Sequence, residues 1–191
     1  MKEYADFLFE TGQLKRVKRS GWWLINIDNP ETVAEHSHRA AVIGYILAQM
    51  EKTEDIISER VVLMCLFNDL HEARINDLHK VGHRYIDFKE AETKAHREQT
   101  MLLGETGRRI FSLHEEFQEQ KTKESIIARD ADLLECAVQA KEYMDIGYKD
   151  AQNWIDNVRA VLKTKNAKEL LSVIEKTSSN DWWKGLKKIT R

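Results

Sequence analysis

The 191-residue chain has the size of one domain, and its composition excludes several classes of protein. Hydrophobic residues make up 42% and charged residues 32%, the balance of a water-soluble globular protein with enough apolar material for one core. The net charge of −2 provides no global attraction to nucleic acid or to an anionic membrane, so neither is predicted as a partner. The single Pro and eight Gly are few turn-forming residues, which favours long helices over a multi-stranded sheet.

The N-terminus and the two cysteines predict a cytoplasmic protein. The first residues lack the basic-then-apolar layout of a signal peptide, and no apolar run approaches the roughly 20 residues that span a bilayer. Cys65 and Cys136 lie within apolar helical patterns, which favours free thiols over a disulfide.

The spacing of apolar residues predicts an all-α fold in a single domain over residues 1–191. Its core is expected to span about residues 14–148, with C-terminal helices in 149–191 packing on it. The predicted helices are 5–14, one that begins at Asn29 as N-cap with Pro30 as its first residue, 60–70, one or two surface helices in 87–120, and then 123–144, 151–162 and 167–174. Residues 15–23, which are basic and end in two tryptophans, and residues 76–85 are predicted loops.

Three of these helices carry polar residues within or at the end of their apolar runs. The residues concerned are His36, Asn68, Asp69, Asp130 and Asp132. Buried polar groups need partners, and imidazole and carboxylate groups that converge from several helices are a common metal site of helical bundles. The alternative is that these residues are unrelated, each satisfied by its own neighbours. Periodicity alone does not choose between Asp130 and Asp132.

Three segments, in this order, resemble the motifs of the HD-domain nucleotidases. They are ETVAEHS at residues 31–37, NDLHEA at 68–73 followed by Asp77, and ADLLE at 131–135. The order and spacing are similar to those of the 5'-deoxynucleotidase branch, and the resemblance runs from about residue 14 to about residue 148. It implies an HD-type helical bundle that forms a homodimer. It also implies a metal-dependent phosphohydrolase acting on nucleoside 5'-monophosphates, with deoxy forms preferred.

The resemblance assigns roles to individual residues. The implied metal ligands are His36, position 68, Asp69 and, in preference to Asp130, Asp132. The implied catalytic residue is Glu72, which lies three residues after Asp69 and would share its helix face while staying free to transfer protons. Asp77 is expected to orient the substrate. The implied cofactor is a divalent ion such as manganese, cobalt or magnesium.

The chain departs from the family pattern at Asn68, where the family has a histidine. An amide oxygen is a poorer ligand than imidazole for cobalt, zinc or iron. The metal could bind more weakly through the other ligands and water, with a bias towards manganese or magnesium. A nearby histidine could replace the missing one, although His71 would point about 200° away from Asp69 on a regular helix. The third alternative is a catalytically silent nucleotide-binding protein.

The loop before the first motif is the predicted specificity element. A guanidinium can bind phosphate with two hydrogen bonds, and a tryptophan face can pack on a sugar or base. Arg19 and Trp22 resemble an Arg-Trp pair of the deoxynucleotidases, with Gly21 where the family has its Arg. The alternative is that Trp22 is a packing residue.

The remaining histidines are predicted to take no part in the metal site. His38 is expected to face away from His36. His96 and His114 lie in charged helices and are expected to be exposed. His79 and His83 belong to the loop after Asp77 and could border the pocket.

Overall fold

The computed structural model describes residues 1–186 and confirms the all-α prediction. The helices are α1 (Lys2–Thr11), α2 (Val33–Met50), α3 (Asp55–Phe67), α4 (Glu72–Ile75), α5 (Phe88–Thr100), α6 (Gly104–Glu119), α7 (Lys123–Asp145), α8 (Gln152–Val161) and α9 (Lys165–Lys176). Short 3-10 turns connect several of them. Within this part of the chain, the extended pairing consists of one antiparallel bridge between Lys18 and Thr32.

The centre of the bundle is formed by α2, α3 and α7, which pack against one another. Gly44 allows this close approach, because an added Cβ would lie 3.0 Å from Val61 Cγ1 and 3.1 Å from Cys65 Sγ. The helices α8 and α9 pack on α7, and residues 187–191 of the predicted C-terminal segment lie outside the described residues. No helix in residues 1–186 combines the length and the apolarity needed to cross a bilayer.

The start of α2 differs from the prediction. The N-cap is Thr32, whose hydroxyl accepts a hydrogen bond from the Glu35 backbone N–H, while the Glu35 carboxylate accepts one from the Thr32 N–H. The prediction of Asn29 as N-cap, with Pro30 as the first helical residue, is wrong because the reciprocal capping box at Thr32 satisfies the free N–H groups three residues later. The helix therefore begins only three residues before His36.

The end of α3 also differs from the prediction, and it shapes the candidate site. The regular helix stops at Phe67, and residues 68–71 form a tight 3-10 turn before the single turn of α4. Asp69 breaks the helical geometry within this turn, with φ −94° and ψ 16°. The directions of the side chains that follow Asp69 therefore cannot be read from a regular helix.

Candidate metal centre and active site

Three side chains from three separate elements meet in the interior. His36 Nε2 on α2 lies 3.0 Å from Asp132 Oδ1 on α7 and 3.5 Å from Asp69 Oδ2 in the turn after α3. The ligand atoms of this trio all lie within 4.8 Å of one another, which is close enough to share one metal ion. The His36 side chain is only 1% exposed, while Asp132 retains 18% exposure. The fold thus brings together three of the predicted ligands.

A fourth residue, Glu135, fixes the orientation of the imidazole. Its carboxylate contacts His36 Nδ1 and also accepts a hydrogen bond of 2.9 Å from Arg39 Nε. With Nδ1 held in this way, Nε2 is directed at Asp132 and Asp69. Carboxylates that bind the far nitrogen of a ligating histidine are typical of metal sites. This role of Glu135 was not predicted from the sequence, although Glu135 lies within the third motif, one helical turn after Asp132.

The charges around His36 suit a cation. Burial and the charge of Arg19 disfavour protonation of His36, but the carboxylates of Glu135 and Asp132 outweigh them and raise its pKa well above the usual value. The Asp69 carboxylate is buried beside His36, and Asp132 pairs with Arg129 at 3.2 Å through its other oxygen, Oδ2. A divalent ion held by these groups would replace the proton on Nε2, so the donor set fits a metal ion.

The carbonyl oxygen of Asn68 provides an independent indication of a missing partner. The side chain is buried, and its Nδ2 donates a hydrogen bond of 2.6 Å to Asp69 Oδ1. Its Oδ1 has no hydrogen-bond partner within residues 1–186. A buried carbonyl without a partner costs about 1–3 kcal/mol, and a hard cation would satisfy it. Asn68 can therefore serve as a neutral oxygen ligand next to Asp69.

The two aspartates of α7, Asp130 and Asp132, have different surroundings. Asp132 faces His36, whereas Asp130 accepts hydrogen bonds from the backbone N–H groups of Lys163, at 3.0 Å, and Thr164, at 2.7 Å. Asp130 is therefore occupied at the N-terminal end of α9 and is not directed at the trio. This geometry supports the choice of Asp132 as the metal ligand.

Three more of the predicted site residues lie next to the trio. Glu72 is 5% exposed, and its Oε2 has no partner among the described residues. Burial, followed by the charges of Asp69 and Asp77, raises the pKa of Glu72 well above its usual value. The guanidinium of Arg19 donates to Cys136 Sγ at 3.2 Å; burial lowers its pKa, but the charges of Cys136, Asp77 and Glu72 outweigh burial and raise it. Arg19 is thus a cation at the site in addition to Arg129, which pairs with Asp132.

Asp77 connects the specificity loop to the site. One of its carboxylate oxygens accepts a hydrogen bond of 2.7 Å from the Ser20 backbone N–H, next to Arg19. This contact holds the loop against the chain that follows α4. The position of Arg19 is therefore coupled to that of Asp77.

Trp22 does not present a ring face to the site. It is 2% exposed, stacks on Trp154 with ring centroids 5.0 Å apart, and meets Tyr143 edge-on at the same distance. Its Nε1–H donates to Glu31 Oε1 at 3.1 Å. The prediction that Trp22 packs on a sugar or base is wrong, because the ring is buried against Trp154 and Tyr143 and its N–H is bonded to Glu31. Trp22 instead anchors the loop that carries Arg19.

The prediction of exposed histidines on α5 and α6 is wrong. His96 and His114 are 0% and 2% exposed, and they stack on each other with ring centroids 4.2 Å apart. His71 is buried beside them and points away from the trio, with its Nε2 3.9 Å from Glu92. His71 therefore does not replace the missing metal-binding histidine, as expected. His38 is exposed, also as expected.

Comparison with known proteins gives the family of the chain. The family model described as HD domain matches residues 11–174. Human 5'-deoxynucleotidase HDDC2 is 30% identical over 94% of this chain and 88% of its own length, and HDDC2 of Dictyostelium discoideum is 34% identical over 75% and 78%, respectively. A solved structure of a predicted coding region from Archaeoglobus fulgidus is 32% identical, with a TM-score of 0.71 and coverage of 96% of this chain and 100% of that one. The chain therefore belongs to the HD domain family, within the branch of phosphoric monoester hydrolases that includes the 5'-deoxynucleotidases HDDC2.

Proposed function

We propose that this protein is a metal-dependent phosphohydrolase that releases phosphate from nucleoside 5'-monophosphates, with deoxy forms preferred. The observation that carries the proposal is the trio of His36, Asp69 and Asp132, with ligand atoms within 4.8 Å of one another, next to the buried carboxyl group of Glu72. The substrate class is supported by relatives that are named 5'-deoxynucleotidases and match along most of their length.

The metal would be held by the trio, with the Asn68 carbonyl as a fourth ligand. When bound, a divalent ion neutralises phosphate charge and makes water a stronger nucleophile. Three of the four ligand atoms are oxygens, and the amide oxygen is a hard ligand. We therefore propose manganese or magnesium ahead of cobalt as the native ion.

Glu72 and Arg19 supply the remaining chemistry. A carboxyl group whose pKa is raised by burial and by neighbouring carboxylates keeps its proton more readily than an exposed glutamate, and it can give that proton to the leaving 5'-oxygen of the nucleoside. The Arg19 guanidinium can bind a phosphate oxygen once the phosphate replaces the thiol of Cys136 as its partner. Asp77, through its hydrogen bond to the Ser20 N–H, keeps Arg19 in place for this contact.

A second candidate function is a catalytically silent nucleotide-binding protein. The observation that favours it is the hydrogen bond from Asn68 Nδ2 to Asp69 Oδ1, because it engages one carboxylate oxygen of a metal ligand. An imidazole ligand at position 68 would leave that oxygen free. The two functions differ in turnover, not in nucleotide binding.

The discriminating experiment is phosphate release from a panel of nucleoside 5'-monophosphates by metal-stripped protein supplied in turn with manganese, magnesium and cobalt. We expect release only with metal, faster with manganese or magnesium than with cobalt, and faster from deoxynucleotides than from ribonucleotides. The matched control is the Asp132→Asn variant, which keeps the side-chain shape but removes a charged ligand. Folded protein that binds deoxynucleotides yet releases no phosphate with any ion would favour the silent alternative.

A homodimer is also part of the proposal. On the outer face of α2, Val42 and the pair Tyr45 and Ile46, one helical turn further on, are each close to half exposed. From Val42 to Met50 the helix has no charged residue. A second copy is a suitable partner for this face because two copies would bring no like charges together there.

Sedimentation equilibrium is expected to give about twice the 22.4 kDa mass of one chain. The Ile46→Glu variant should sediment as a monomer, because burying a carboxylate in an apolar interface is costly. Val161→Glu, at a similarly exposed position on α8, is the control and should remain dimeric. A parent chain that sediments as a monomer at every concentration would contradict the proposal.

A further inference from the structure

The turn that carries Asn68 and Asp69 has backbone carbonyls that accept hydrogen bonds from side chains. The break after α3 replaces the α-helical bonding pattern at these residues with a 3-10 turn, in which the Glu72 N–H is directed at the Asp69 and Leu70 oxygens. Side chains donate to three carbonyl oxygens of this segment. The Phe67 oxygen accepts from His96 Nε2 at 3.0 Å, the Asn68 oxygen from His71 Nδ1 at 3.1 Å, and the Leu70 oxygen from Gln99 Nε2 at 2.8 Å.

Two of these donors come from a different helix. His96 and Gln99 lie one turn apart on the buried face of α5, and they are 0% and 5% exposed. Because a carbonyl oxygen can only accept, the His96 ring must carry its hydrogen on Nε2. Burial lowers the pKa of His96 and so favours the neutral ring. One face of α5 therefore holds the carbonyls on either side of Asn68 and Asp69.

The helix α5 is itself fixed by α6. Gly107 on α6 faces the end of α5 so closely that an added Cβ would lie 1.8 Å from the Thr100 backbone oxygen. His114 on α6 stacks on the His96 ring, and although burial lowers the His114 pKa, the Asn68 backbone oxygen is close enough to act against this shift. Thr100 is also buried on α5, but its hydroxyl donates to the His96 oxygen of α5 itself, at 2.9 Å, and not to the turn.

We propose that His96 and Gln99 are positioning residues that set the orientation of Asn68 and Asp69 for metal binding. Neither residue touches the metal ligands' side chains in the hydrogen-bond network. They act through the Phe67 and Leu70 carbonyls, which lie on either side of the two ligands in the chain. The inference rests on the proposed function, because it assumes that Asn68 and Asp69 bind the metal.

The test is the affinity of metal-stripped protein for Mn²⁺, measured by titration calorimetry and checked by the electron paramagnetic resonance signal of free Mn²⁺. His96→Phe keeps a flat buried ring but removes the donor, and we expect it to weaken Mn²⁺ binding by about 10- to 100-fold, the range found for lost outer-shell partners. His96→Gln, which retains an N–H of similar reach, should recover most of the affinity. Thr100→Val, a change of the same shape on α5 that leaves the bonds to the turn in place, is the matched control and should bind Mn²⁺ within about twofold of the parent.

The Gln99→Met variant repeats the test at the second donor, in case His96→Phe does not fold. It should weaken Mn²⁺ binding by about tenfold without changing the helical circular dichroism signal. Folded His96→Phe or Gln99→Met protein with parental Mn²⁺ affinity would overturn the inference, as would an equal loss in Thr100→Val. Parent protein that binds Mn²⁺ but hydrolyses no nucleotide would refute the proposed function alone, because the positioning test reads binding and not turnover. Parent protein that binds no divalent ion would refute both.

Discussion

Replacing Glu72 by Gln is expected to lower the turnover of nucleoside monophosphates by about 10²- to 10⁴-fold, the range attributed to general acid–base catalysis. The amide has the same shape as the carboxyl group but cannot donate a proton to the leaving oxygen. Because Glu72 is not part of the metal trio, Mn²⁺ affinity should change little. Phosphate release under single-turnover conditions, together with calorimetric Mn²⁺ binding, measures both effects.

A matched control for this variant is Glu92→Gln. Glu92 is another largely buried carboxyl group near the site, and burial, followed by the charge of Asp69, raises its pKa to about 7. It accepts a hydrogen bond from Gln118 Nε2 at 2.6 Å and has no place in the proposed chemistry. If both variants retained full turnover, Glu72 would not be the proton donor. Loss of Mn²⁺ binding in Glu72→Gln would instead identify Glu72 as a ligand.

The Asn68→His variant is expected to bind Co²⁺ about 10- to 100-fold more tightly than the parent. Imidazole is a better ligand than an amide oxygen for this ion, and the Asn68 side chain already lies next to Asp69. The hydrogen bond that now engages Asp69 Oδ1 would also be removed. Calorimetric titration of the metal-stripped protein with Co²⁺ and Mn²⁺ measures the change for both ions.

The activity of Asn68→His separates the two candidate functions. A large gain in turnover would mean that the natural chain is impaired or silent, whereas an unchanged rate would mean that the site is adapted to an amide ligand. Asn68→Ala is the companion variant, because it removes the carbonyl without adding a ligand, and it should weaken Mn²⁺ binding. Parental Mn²⁺ affinity in Asn68→Ala would exclude Asn68 from the metal shell.

The helices were predictable because apolar residues recur in the sequence with the helical period. The converging polar residues were predictable because they interrupt that period. In α7, for example, small and apolar residues recur on one side of the helix, and Asp132 interrupts the pattern in a way that needs a partner. The motif order then identified the family. Even so, periodicity alone could not show which of Asp130 and Asp132 binds the metal, because both lie on α7. The two differ in their distant partners, which are His36 for Asp132 and the Lys163 N–H for Asp130.

The break after α3 was not predictable, because the segment has neither Pro nor Gly and is apolar up to Phe67. Without the break, nothing in the sequence explains why α5 should turn His96 inward. His96 and Gln99 face the interior, where they donate to the Phe67 and Leu70 carbonyls on either side of the turn. The charged residues that surround His96 and Gln99 in the sequence predict an exposed helix. Hydrogen bonds to residues outside α5 account for the burial of these two side chains.

Trp22 shows a different limit of sequence reasoning. A tryptophan near a basic residue has the same local pattern whether it packs on a ligand or on the protein. The deciding residues, Trp154 and Tyr143, lie more than a hundred positions away. Arg19 and Cys136 are also more than a hundred positions apart, so their contact could not be predicted from the local sequence.

The hydrogen bonds that the Lys163 and Thr164 N–H groups donate to Asp130 have a consequence for the order in which the protein matures during synthesis. A ribosome delivers the chain from its N-terminus, so α7 is complete before residues 163 and 164 emerge. Until then the Asp130 carboxylate, only two residues from Asp132, lacks these two donors. The nascent chain is therefore expected to become competent for metal uptake only after residues 163 and 164 have emerged.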